Sequence, residues 1–548
     1  MREIDRLTVE MYQTPSLLLM EAAATACLQA IQSHFNNDLT GKTALLLCGK
    51  GNNGGDGAAL ARSLARAGVQ CNVVLFGKLA EAKGEALTNF AAIHQLAGFQ
   101  AGSAASPSPL AFLECDGVAA WEQIARPRRT FDVIVDALFG TGLTRPLEGV
   151  YPKVINHLSM LKRARDRASG SRPLVLSIDL PSGLDADRSD PIGETVHADL
   201  TVTFTAPKPA NVLPPASQFC GQLIVANIGS PTSLVASMKP SLFVVEAKDA
   251  SEWLYSTRYT PESYKNTHGH ALIVAGSPGY TGAAALCGDA AIRAGAGLVT
   301  IATPATAQES VANRAMPEVM TIALAETDRG AVSDEAIDHL LRLAAKASVV
   351  AIGPGLTSED ERTRRFVHAV IERRTTPVII DADGLNCLAP WPRTLRGSPE
   401  YPLILTPHAG EMLRLLGAND KSALQDRVSA VRDFAVANEV ILVLKGSRAL
   451  TAAPDGRVFI NPTGNAGLGT AGAGDTLTGI IAGFMAQSFS TLKEPSDALA
   501  TTISALYVGG MAGDLAAREL GMRTMVASDI REHLSAAVRK LDPQGEQP

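Results

Sequence analysis

Short apolar runs alternate with glycine-rich turns and helical segments along most of the chain. Residues 2–35 are predicted to form helices that Pro15 and Ser16 interrupt. The apolar runs that follow have the length of strands, and they lie at 45–48, 73–76, 133–135 and 174–178. Continuous apolar strands are typical of a parallel sheet covered on both faces by helices, such as the helix predicted over 58–67. The first half is therefore predicted to be an α/β domain.

A second series of strands begins after a stretch in which this pattern lapses. Around residues 229–240 the chain carries Pro, Ser and Gly instead of a regular apolar pattern, as expected of a domain boundary. Strands are then predicted at 271–275, 298–301, 349–352, 378–380, 403–405 and 441–444. We therefore expect two α/β domains, residues 1–237 and 238–548. Each should bind its ligand at the carboxyl ends of its strands.

Composition narrows the class of protein further. The chain has 548 residues, 46% of them hydrophobic, which is more than one core usually organises. The net charge is −6 without a dense Lys/Arg run, so no nucleic-acid partner is expected. The seven cysteines form no C-x-x-C pair, so neither a zinc site nor a disulfide framework is predicted. No signal-peptide pattern or spanning apolar run occurs, so we expect a cytoplasmic protein with no membrane partner. Residues 101–109, rich in Ser and Pro, are expected to form a surface loop.

The first candidate site follows the first strand. Five glycines occur among residues 49–57, where backbone N–H groups can approach a ligand and the next helix adds a partial positive charge. A tight turn without a ligand is the simpler interpretation, but it does not need the two asparagines and the aspartate. Ligand binding is therefore predicted at Asn52, Asn53, Gly54, Gly55 and Asp56.

Two further strands of the first half end at aspartates that face the cleft. Asp136 ends one strand and Asp179 ends the next, although an isolated aspartate there can also cap a helix. Asp179 is a candidate general acid or base, and Ser182 supplies an oxygen nearby. The loop after Asp136 has hydroxyls and one arginine, which suit a phosphate. Its candidate binding residues are Gly140, Thr141, Gly142, Leu143, Thr144, Arg145 and Pro146.

Together these segments resemble the NAD(P)H-hydrate epimerase family over about residues 1–235. The supporting strings are G-K-G-N-N-G-G-D-G, D-A-L-F-G-T-G, D-L-P-S-G-L-D and A-P-K, which begin at residues 49, 136, 179 and 206. The resemblance implies a Rossmann-like three-layer αβα sandwich, with Asp179 and the two glycine-containing segments at the substrate. It also implies a potassium ion held by Asn53, Asp136 and Ser182, whose oxygens suit a hard cation.

The chain departs from this family in its N-terminal helical region. The family usually has Glu-Asn-Ala-Gly, whereas Glu21 is followed here by Ala22, Ala23 and Ala24. Loss of a polar contact near the substrate, and hence a weaker epimerase, is the expected consequence.

The second candidate site combines a strand end with a glycine-rich helix start. Its first segment, directly after the strand at 441–444, is Lys445, Gly446, Ser447, Arg448 and Ala449. Its second is a Gly-Ala-Gly-Asp core that ends at Asp475. Glycine N–H groups at a helix start can hold a transferring phosphate, and an aspartate there can accept a hydroxyl proton. A turn capped by Asp475 is the simpler alternative, but the density of Gly and Thr around it favours function.

This half resembles the ribokinase-like superfamily, in its NAD(P)H-hydrate dehydratase branch, over about residues 255–540. The supporting strings are G-S-P-G-Y-T-G-A-A, R-A-G-A-G-L-V, I-G-P-G-L, D-A-D-G-L-N and T-P-H-A-G-E, which begin at residues 276, 293, 352, 381 and 406. The resemblance implies a ribokinase-like αβα sandwich. It places substrate near Ala283, Gly355, His408 and Asp475, and nucleotide near residues 445–449 and Gly474. A lone histidine is more often packed than functional, but the setting of His408 in T-P-H-A-G-E favours a site.

The two resemblances imply a bifunctional metabolite-repair enzyme. Its substrates would be NADHX and NADPHX, which carry a hydroxyl on carbon 6 of the nicotinamide ring. The first half would interconvert their R and S epimers. The second would dehydrate the S epimer to NAD(P)H after transient phosphorylation of the hydroxyl by ADP or ATP. Asp475 would take the hydroxyl proton, the amides of residues 472–474 would hold the phosphate, and Mg²⁺ would offset its charge. A homo-oligomer is also expected.

Two other interpretations stay open on the sequence alone. The second half could be a plain small-molecule kinase, for example of a hydroxymethyl-pyrimidine or pyridoxal, which would leave a stable phosphorylated product. The first half could be a non-catalytic nucleotide-binding or scaffolding module, which would bind ligand without speeding epimer exchange.

Overall fold

The chain divides into two α/β units, each built around its own sheet. The computed structural model describes residues 1–98, 108–125, 130–166, 172–490 and 497–542. Most of the loop expected at 101–109 therefore lies outside the described residues. The two units are Met1–Pro240 and Ser241–Pro548. Among the described residues, no helix is both long enough and apolar enough to cross a membrane.

The first unit is built on a seven-stranded sheet. Its strands are β1 (Thr43–Gly49), β2 (Gln70–Phe76), β3 (Leu110–Cys115), β4 (Val133–Ala137), β5 (Leu174–Ile178), β6 (Leu200–Phe204) and β7 (Gln222–Ala226). They are all parallel and lie in the order β3-β2-β1-β4-β5-β6-β7. The order reverses between β1 and β4, and open α/β sheets bind ligands beside such a reversal, at the carboxyl ends of the strands.

Helices cover both faces of this sheet. They are α1 (Arg2–Tyr12), α2 (Ser16–His34), α3 (Asn52–Arg66), α4 (Gly84–Gly98), α5 (Val118–Ala125), α6 (Tyr151–Asp166), α7 (Pro209–Val212) and α8 (Thr232–Ser237). Side chains alternate between the faces of a strand, so Leu46 joins one apolar cluster with α2, α3 and α4 while Leu45 and Leu47 join another with α5 and α6. The predicted α/β fold with a parallel sheet is confirmed for this unit.

Helix α3 begins earlier than the sequence predicted. Its expected start was residue 58, yet the helix begins at Asn52 and includes much of the glycine-rich segment. The reason is close packing on β1. A Cβ added at Gly54 would lie 1.6 Å from the carbonyl oxygen of Gly49. Glycine therefore lets the first turn of the helix lie directly on the strand end.

The second unit is built on a ten-stranded mixed sheet. Its strands are β8 (Leu242–Val244), β9 (His270–Val274), β10 (Leu298–Pro304), β11 (Met320–Leu324), β12 (Val349–Ile352), β13 (Val378–Ile380), β14 (Leu403–Leu405), β15 (Ile441–Leu444), β16 (Leu450–Ala452) and β17 (Val458–Ile460). Their order is β11-β10-β9-β12-β13-β14-β15-β16-β17-β8. The seven neighbouring strands β11, β10, β9, β12, β13, β14 and β15 are parallel to one another. Strand β16 is antiparallel to both of its neighbours. The order reverses between β9 and β12, which again marks a binding edge.

The helices of the second unit surround a buried central helix. They are α9 (Ala247–Ser256), α10 (Thr281–Arg293), α11 (Ala305–Ala312), α12 (Ile337–Ala344), α13 (Glu361–Glu372), α14 (Ala382–Cys387), α15 (Ala409–Leu416), α16 (Arg427–Asn438), α17 (Ala473–Ser488), α18 (Ala498–Leu520), α19 (Ala527–Glu532) and α20 (Leu534–Leu541). Helix α17 is buried along most of its length and packs against α10 and α18. Its N-terminus is thereby fixed at the carboxyl ends of the parallel strands.

Candidate functional sites

A cavity of about 670 Å³ lies at the carboxyl ends of the central strands in the first unit. The predicted residues that line it are Asn52, Asn53, Asp56, Gly140, Thr141, Gly142 and Asp179. The other predicted binding residues lie outside this lining: Gly54, Gly55 and Leu143 are buried, while Thr144, Arg145 and Pro146 are exposed. The structure thus brings together the glycine-rich start of α3, the loop after β4 and the end of β5.

The three predicted potassium ligands lie beside this cavity. Asp136 is fully buried, and its Oδ1 accepts a 2.6 Å hydrogen bond from the hydroxyl of Ser182. Its Oδ2 accepts bonds from the backbone N–H of Ser182 and from the hydroxyl of Ser177. Asn53 lies at the cavity wall with a buried Nδ2 that has no hydrogen-bond partner. Burial raises the pKa of Asp136, and the hydrogen bonds from Ser182 and Ser177 oppose that increase.

Asp179 is held in a strained conformation at the cavity wall. Its backbone φ is 66°, in the left-handed region that non-glycine residues rarely adopt. Its backbone N–H donates to Val202, and its carbonyl accepts from the side-chain amide of Asn211. Its Oδ1 accepts a 2.5 Å bond from Nζ of Lys208 and a 3.0 Å bond from the hydroxyl of Thr203. Lys208 lies in the A-P-K string, but the sequence assigned it no role.

Two more carboxyl groups face the same cavity. Asp5 of α1 and Asp56 of α3 both line it. Burial raises the pKa of Asp5, and the charge of Asp179 adds to that effect while Lys208 opposes it. The pKa of Asp56 is raised well above its usual value, first by burial and then by the charges of Asp179 and Asp5. Helix α1 is therefore part of the site, which the sequence analysis did not anticipate.

The family departure after Glu21 has a specific location. Ala23 lines the cavity, as does Met20, whereas Ala22 does not. Glu21 itself makes an ion pair with Arg62. The position at which the family has an asparagine is therefore outside the cavity lining in this chain.

Asp381 lies at the centre of the predicted site in the second unit. It follows β13 and is 1% exposed. Its Oδ1 accepts bonds from Nζ of Lys445 at 2.6 Å and from the hydroxyl of Thr406 at 2.8 Å, and its Oδ2 accepts from the hydroxyl of Thr478 at 2.7 Å. This aspartate thus ties together the ends of β13, β14 and β15 and the first turns of α17. The motif D-A-D-G-L-N begins at Asp381, but the sequence analysis assigned this aspartate no role in the site.

Lys445 and Asp475 both lie at the start of α17 and interact electrostatically. A Cβ added at Gly474 would lie 3.3 Å from Nζ of Lys445, so the ammonium is directly beside this turn. The pKa of Asp475 is raised to about 6, first by burial and then by the charge of Asp381, while the charge of Lys445 opposes both effects. Burial works to lower the pKa of Lys445, but Asp381, Glu411 and Asp475 together raise it.

The backbone geometry at the start of α17 explains why a glycine occupies position 472. Gly472 is the N-cap and has φ 84°, so a side chain there would be strained. Asp475 lies in the first turn of the helix and is not its cap. The N–H groups of the first turn and the positive end of the helix dipole therefore lie beside the carboxylate.

The remaining predicted residues form two groups in the second unit. Ala283 and Gly355 are neighbours, because a Cβ added at Gly355 would lie 3.2 Å from that of Ala283. His408 caps α15, with Nδ1 accepting from the N–H groups of Gly410 and Glu411, and its ring is half exposed. It therefore has a structural role whether or not it also contacts substrate.

The predicted nucleotide loop, residues 445–449, connects β15 to β16. Arg427 donates to the carbonyls of Ser447 and Arg448, and the side chain of Arg448 donates to the carbonyl of Pro462. Gly446 has φ 145°, which favours glycine there. The predicted loop also includes Ala449, which packs against the core of the unit.

Two doubly wound α/β units, each with an aspartate beside a glycine-rich helix start, are the architecture of a two-domain α/β enzyme. Residues 271–536 match the family model for NAD(P)H-hydrate dehydratase, and residues 16–210 match that for the YjeF-related protein N-terminus. The chain belongs to the family of bifunctional NAD(P)H-hydrate repair enzymes, as the resemblances predicted.

Relatives match both units at once. The bifunctional NAD(P)H-hydrate repair enzyme Nnr of Moorella thermoacetica is 38% identical over 100% of this chain and 97% of its own length. Its counterpart from Escherichia coli is 32% identical over 95% of this chain and 89% of its own. A solved structure of the ADP/ATP-dependent NAD(P)H-hydrate dehydratase from Bacillus subtilis, co-crystallized with ATP/Mg²⁺, is 29% identical. It covers 55% of this chain and 99% of its own, with a TM-score of 0.46.

Proposed function

We propose that the first unit epimerises NADHX and NADPHX and that the second dehydrates the S epimer at the expense of ADP or ATP. The observation that carries this proposal is the arrangement at the start of α17. There a carboxylate with a raised pKa, a lysine ammonium and a glycine-rich helix N-terminus converge. A proton acceptor beside a preorganised anion site is what transfer of a phosphoryl group to a hydroxyl requires.

The dehydratase step follows from the chemistry of the substrate. Asp475 accepts the proton of the carbon 6 hydroxyl while the hydroxyl oxygen attacks the terminal phosphoryl group of the nucleotide. The bond from that phosphorus to the nucleotide breaks, which releases AMP from ADP or ADP from ATP. The N–H groups of residues 472–474 and the ammonium of Lys445 stabilise the charge on that group. The lone pair of the ring nitrogen then expels phosphate, and loss of a proton from carbon 5 completes the dihydropyridine ring. The nucleotide thus converts a poor leaving group into a good one.

Magnesium fits the same face of the second unit. Mg²⁺ is usually bound by one or two carboxylates together with nucleotide phosphates. Glu411 is a carboxylate close enough to act electrostatically on Lys445, and using it leaves Asp475 available as the proton acceptor. When bound, the ion would offset phosphate charge there.

In the first unit, Asp179 is proposed to take and return the proton of the same hydroxyl. The bond between carbon 6 and the ring nitrogen opens, and its electron pair passes to that nitrogen and the conjugated carboxamide. The ring then closes on the other face of the carbon 6 carbonyl. The glycine-rich start of α3 and the loop after β4 would hold substrate phosphates.

Potassium is proposed beside this site. Asp136 and Ser182 are in contact, and Asn53 lies at the wall of the adjacent cavity. Oxygen donors of these three side chains suit a hard monovalent cation. When bound, the ion would order the loop after β4, since the N–H of Phe139 also donates to the hydroxyl of Ser182.

One incubation tests both activities. Purified protein is mixed with both NADHX epimers and with ADP or ATP, and NADH absorbance, free phosphate and the epimer ratio are followed. Recovery of NADH with release of phosphate from both epimers is expected. A stable phosphorylated product would instead favour a small-molecule kinase. Ligand binding without faster epimer exchange would favour a non-catalytic first unit.

The proposal also covers the cellular location and the oligomeric state of the protein. A cytoplasmic location is expected because NADH, NADPH and the adenine nucleotides are used there. We also expect the full chain to be a homo-oligomer, and light scattering of the purified protein would measure its mass.

A further inference from the structure

Lys208 is a buried lysine at the wall of the epimerase cavity whose contacts go beyond those of a packing residue. It is 4% exposed and lines the cavity at the same wall as Asp179. A lysine ammonium has three hydrogens to donate. The ammonium of Lys208 donates to Oδ1 of Asp179 at 2.5 Å, to the hydroxyl of Thr203 at 2.8 Å and to the carbonyl of Phe204 at 3.1 Å. Its donors are therefore all used inside the wall.

These contacts leave the two oxygens of Asp179 in different positions. Oδ1 accepts from both Lys208 and Thr203. Oδ2 lies on the cavity side, because a Cβ added at Gly140, which lines the cavity, would be 3.3 Å from it. One oxygen is therefore fixed by the protein and the other faces the space in which a substrate would lie.

The backbone supports the same geometry. Asp179 has a strained φ of 66°, and such strain persists only where surrounding contacts hold it. Asn211 donates to the carbonyl of Asp179, and the backbone N–H of Lys208 donates to Oδ1 of Asn211. A buried ion pair is weak evidence for a gain in stability, since the loss of hydration offsets much of its attraction. Strain together with a desolvated ion pair indicates a functional constraint.

We propose that Lys208 is the positioning residue of the epimerase site, which holds Oδ1 of Asp179 so that Oδ2 can accept the hydroxyl proton of the substrate. The inference rests on the proposed epimerase function of the first unit. Lys208 acts through Asp179, because its own three hydrogens are occupied. Its ammonium donates a hydrogen bond to this carboxylate, although Asp5 and Asp56 face the same cavity.

Epimer exchange without nucleotide is the direct measurement, because the dehydratase is then idle. In Lys208→Met, which keeps the length of the side chain and removes the charge, we expect kcat to fall roughly 100-fold or more with KM changed less than about threefold. The matched control is Lys162→Met. Lys162 also lies 2.5 Å from an aspartate of the same unit, Asp199, but it does not line the cavity. That variant should keep kcat within about twofold of wild type.

Chemical rescue separates positioning from folding. Lys208→Ala leaves space beside Oδ1 of Asp179, so added ethylammonium should restore part of kcat, whereas tetramethylammonium, which donates no hydrogen bond, should not. Absence of rescue in a folded Lys208→Ala protein would overturn the inference. If Lys208 variants unfold the first unit, Thr203→Val carries the test. It removes a hydroxyl bonded to both partners, and an unchanged kcat in this variant would also overturn the inference.

The same assay distinguishes the two levels of the proposal. A wild-type chain that does not speed epimer exchange would overturn the epimerase function and the role of Lys208 with it. An active wild type together with an equally active Lys208→Met variant would overturn only the role of Lys208.

Discussion

The ammonium of Lys445 lies 2.6 Å from Oδ1 of Asp381. Lys445 directly follows β15 and Asp381 directly follows β13, so the contact lies at the carboxyl ends of these parallel strands. This contact fixes a positive charge beside Gly474, where phosphoryl charge is proposed to develop. The same carboxylate also acts on Asp475. After burial, the charge of Asp381 is the largest cause of the raised pKa of Asp475. Asp381 thus links the anion site to the proton acceptor.

This link predicts a pH dependence of the dehydratase. Asp475 must be deprotonated to accept a proton, and its pKa is about 6. Plotted against pH, kcat/KM should therefore fall as the pH drops through about 6. Asp381→Asn removes a like charge from Asp475, so this acidic limb should move to lower pH. Asp383→Asn should shift it in the same direction but less, since Asp383 contributes less to that pKa. A limb that moves upward in either variant would contradict the assignment.

Asp475→Asn should abolish dehydration and leave epimer exchange intact. The amide keeps the shape of the side chain but accepts no proton, and general base catalysis is typically worth 10²–10⁴-fold in rate. NADH formation from the S epimer with ATP measures the loss. Asp338→Asn is the control, because Asp338 is an exposed aspartate paired with Arg373 on the same unit. Near-normal NADH formation by Asp475→Asn would remove Asp475 from the catalytic role.

Potassium should support the epimerase alone. Replacing potassium by choline should slow epimer exchange without changing the dehydratase rate. Ser182→Ala should have the same effect at saturating potassium, because it removes a proposed ligand that also bonds Asp136. Ser177→Ala removes a different hydrogen bond to Asp136 and should have a smaller effect. Equal rates with and without potassium, together with no bound ion in the purified protein, would refute the site.

Restoring the asparagine of the family should change little. Ala22 lies outside the cavity lining, so Ala22→Asn should keep the rate of epimer exchange within about twofold. Asparagine is a weaker helix former than alanine by a few tenths of a kcal/mol, so a slightly lower melting temperature is expected. A tenfold faster epimerase would show instead that this position contacts the substrate.

The sequence predicts the central strands of both sheets because buried parallel strands are continuous apolar runs. The strands β3, β6, β7, β8, β11, β16 and β17 were not predicted, although the equally short strands β13 and β14 were. Polar residues interrupt the apolar pattern in several of them, as Thr201 and Thr203 do in β6. The strand-end aspartates Asp136 and Asp179 were found for the same reason as the strands. The pairing of aspartates with lysines was not predicted. Lys208 is 29 residues from Asp179, and Lys445 is 64 residues from Asp381. Only the order of the strands brings such residues together.

The two activities should be separable within one chain. Each unit has its own sheet, and each apolar cluster seen among the described residues lies within one unit. Asp179→Ala removes the proposed proton acceptor of the first unit only. With a mixture of epimers and ATP, this variant should convert the S epimer at nearly the wild-type rate. The R epimer should then disappear at its slow spontaneous exchange rate.

The expected progress curve is therefore a fast phase followed by a slow one, while the wild type shows a single fast phase. Adding the Asp475→Asn variant, which keeps Asp179 but has no dehydratase activity, should remove the slow phase. It supplies only epimerase activity. This complementation is the strictest test of two independent sites. If Asp179→Ala slows both phases equally, or if the Asp475→Asn protein fails to complement it, the units share one site or one cooperative fold.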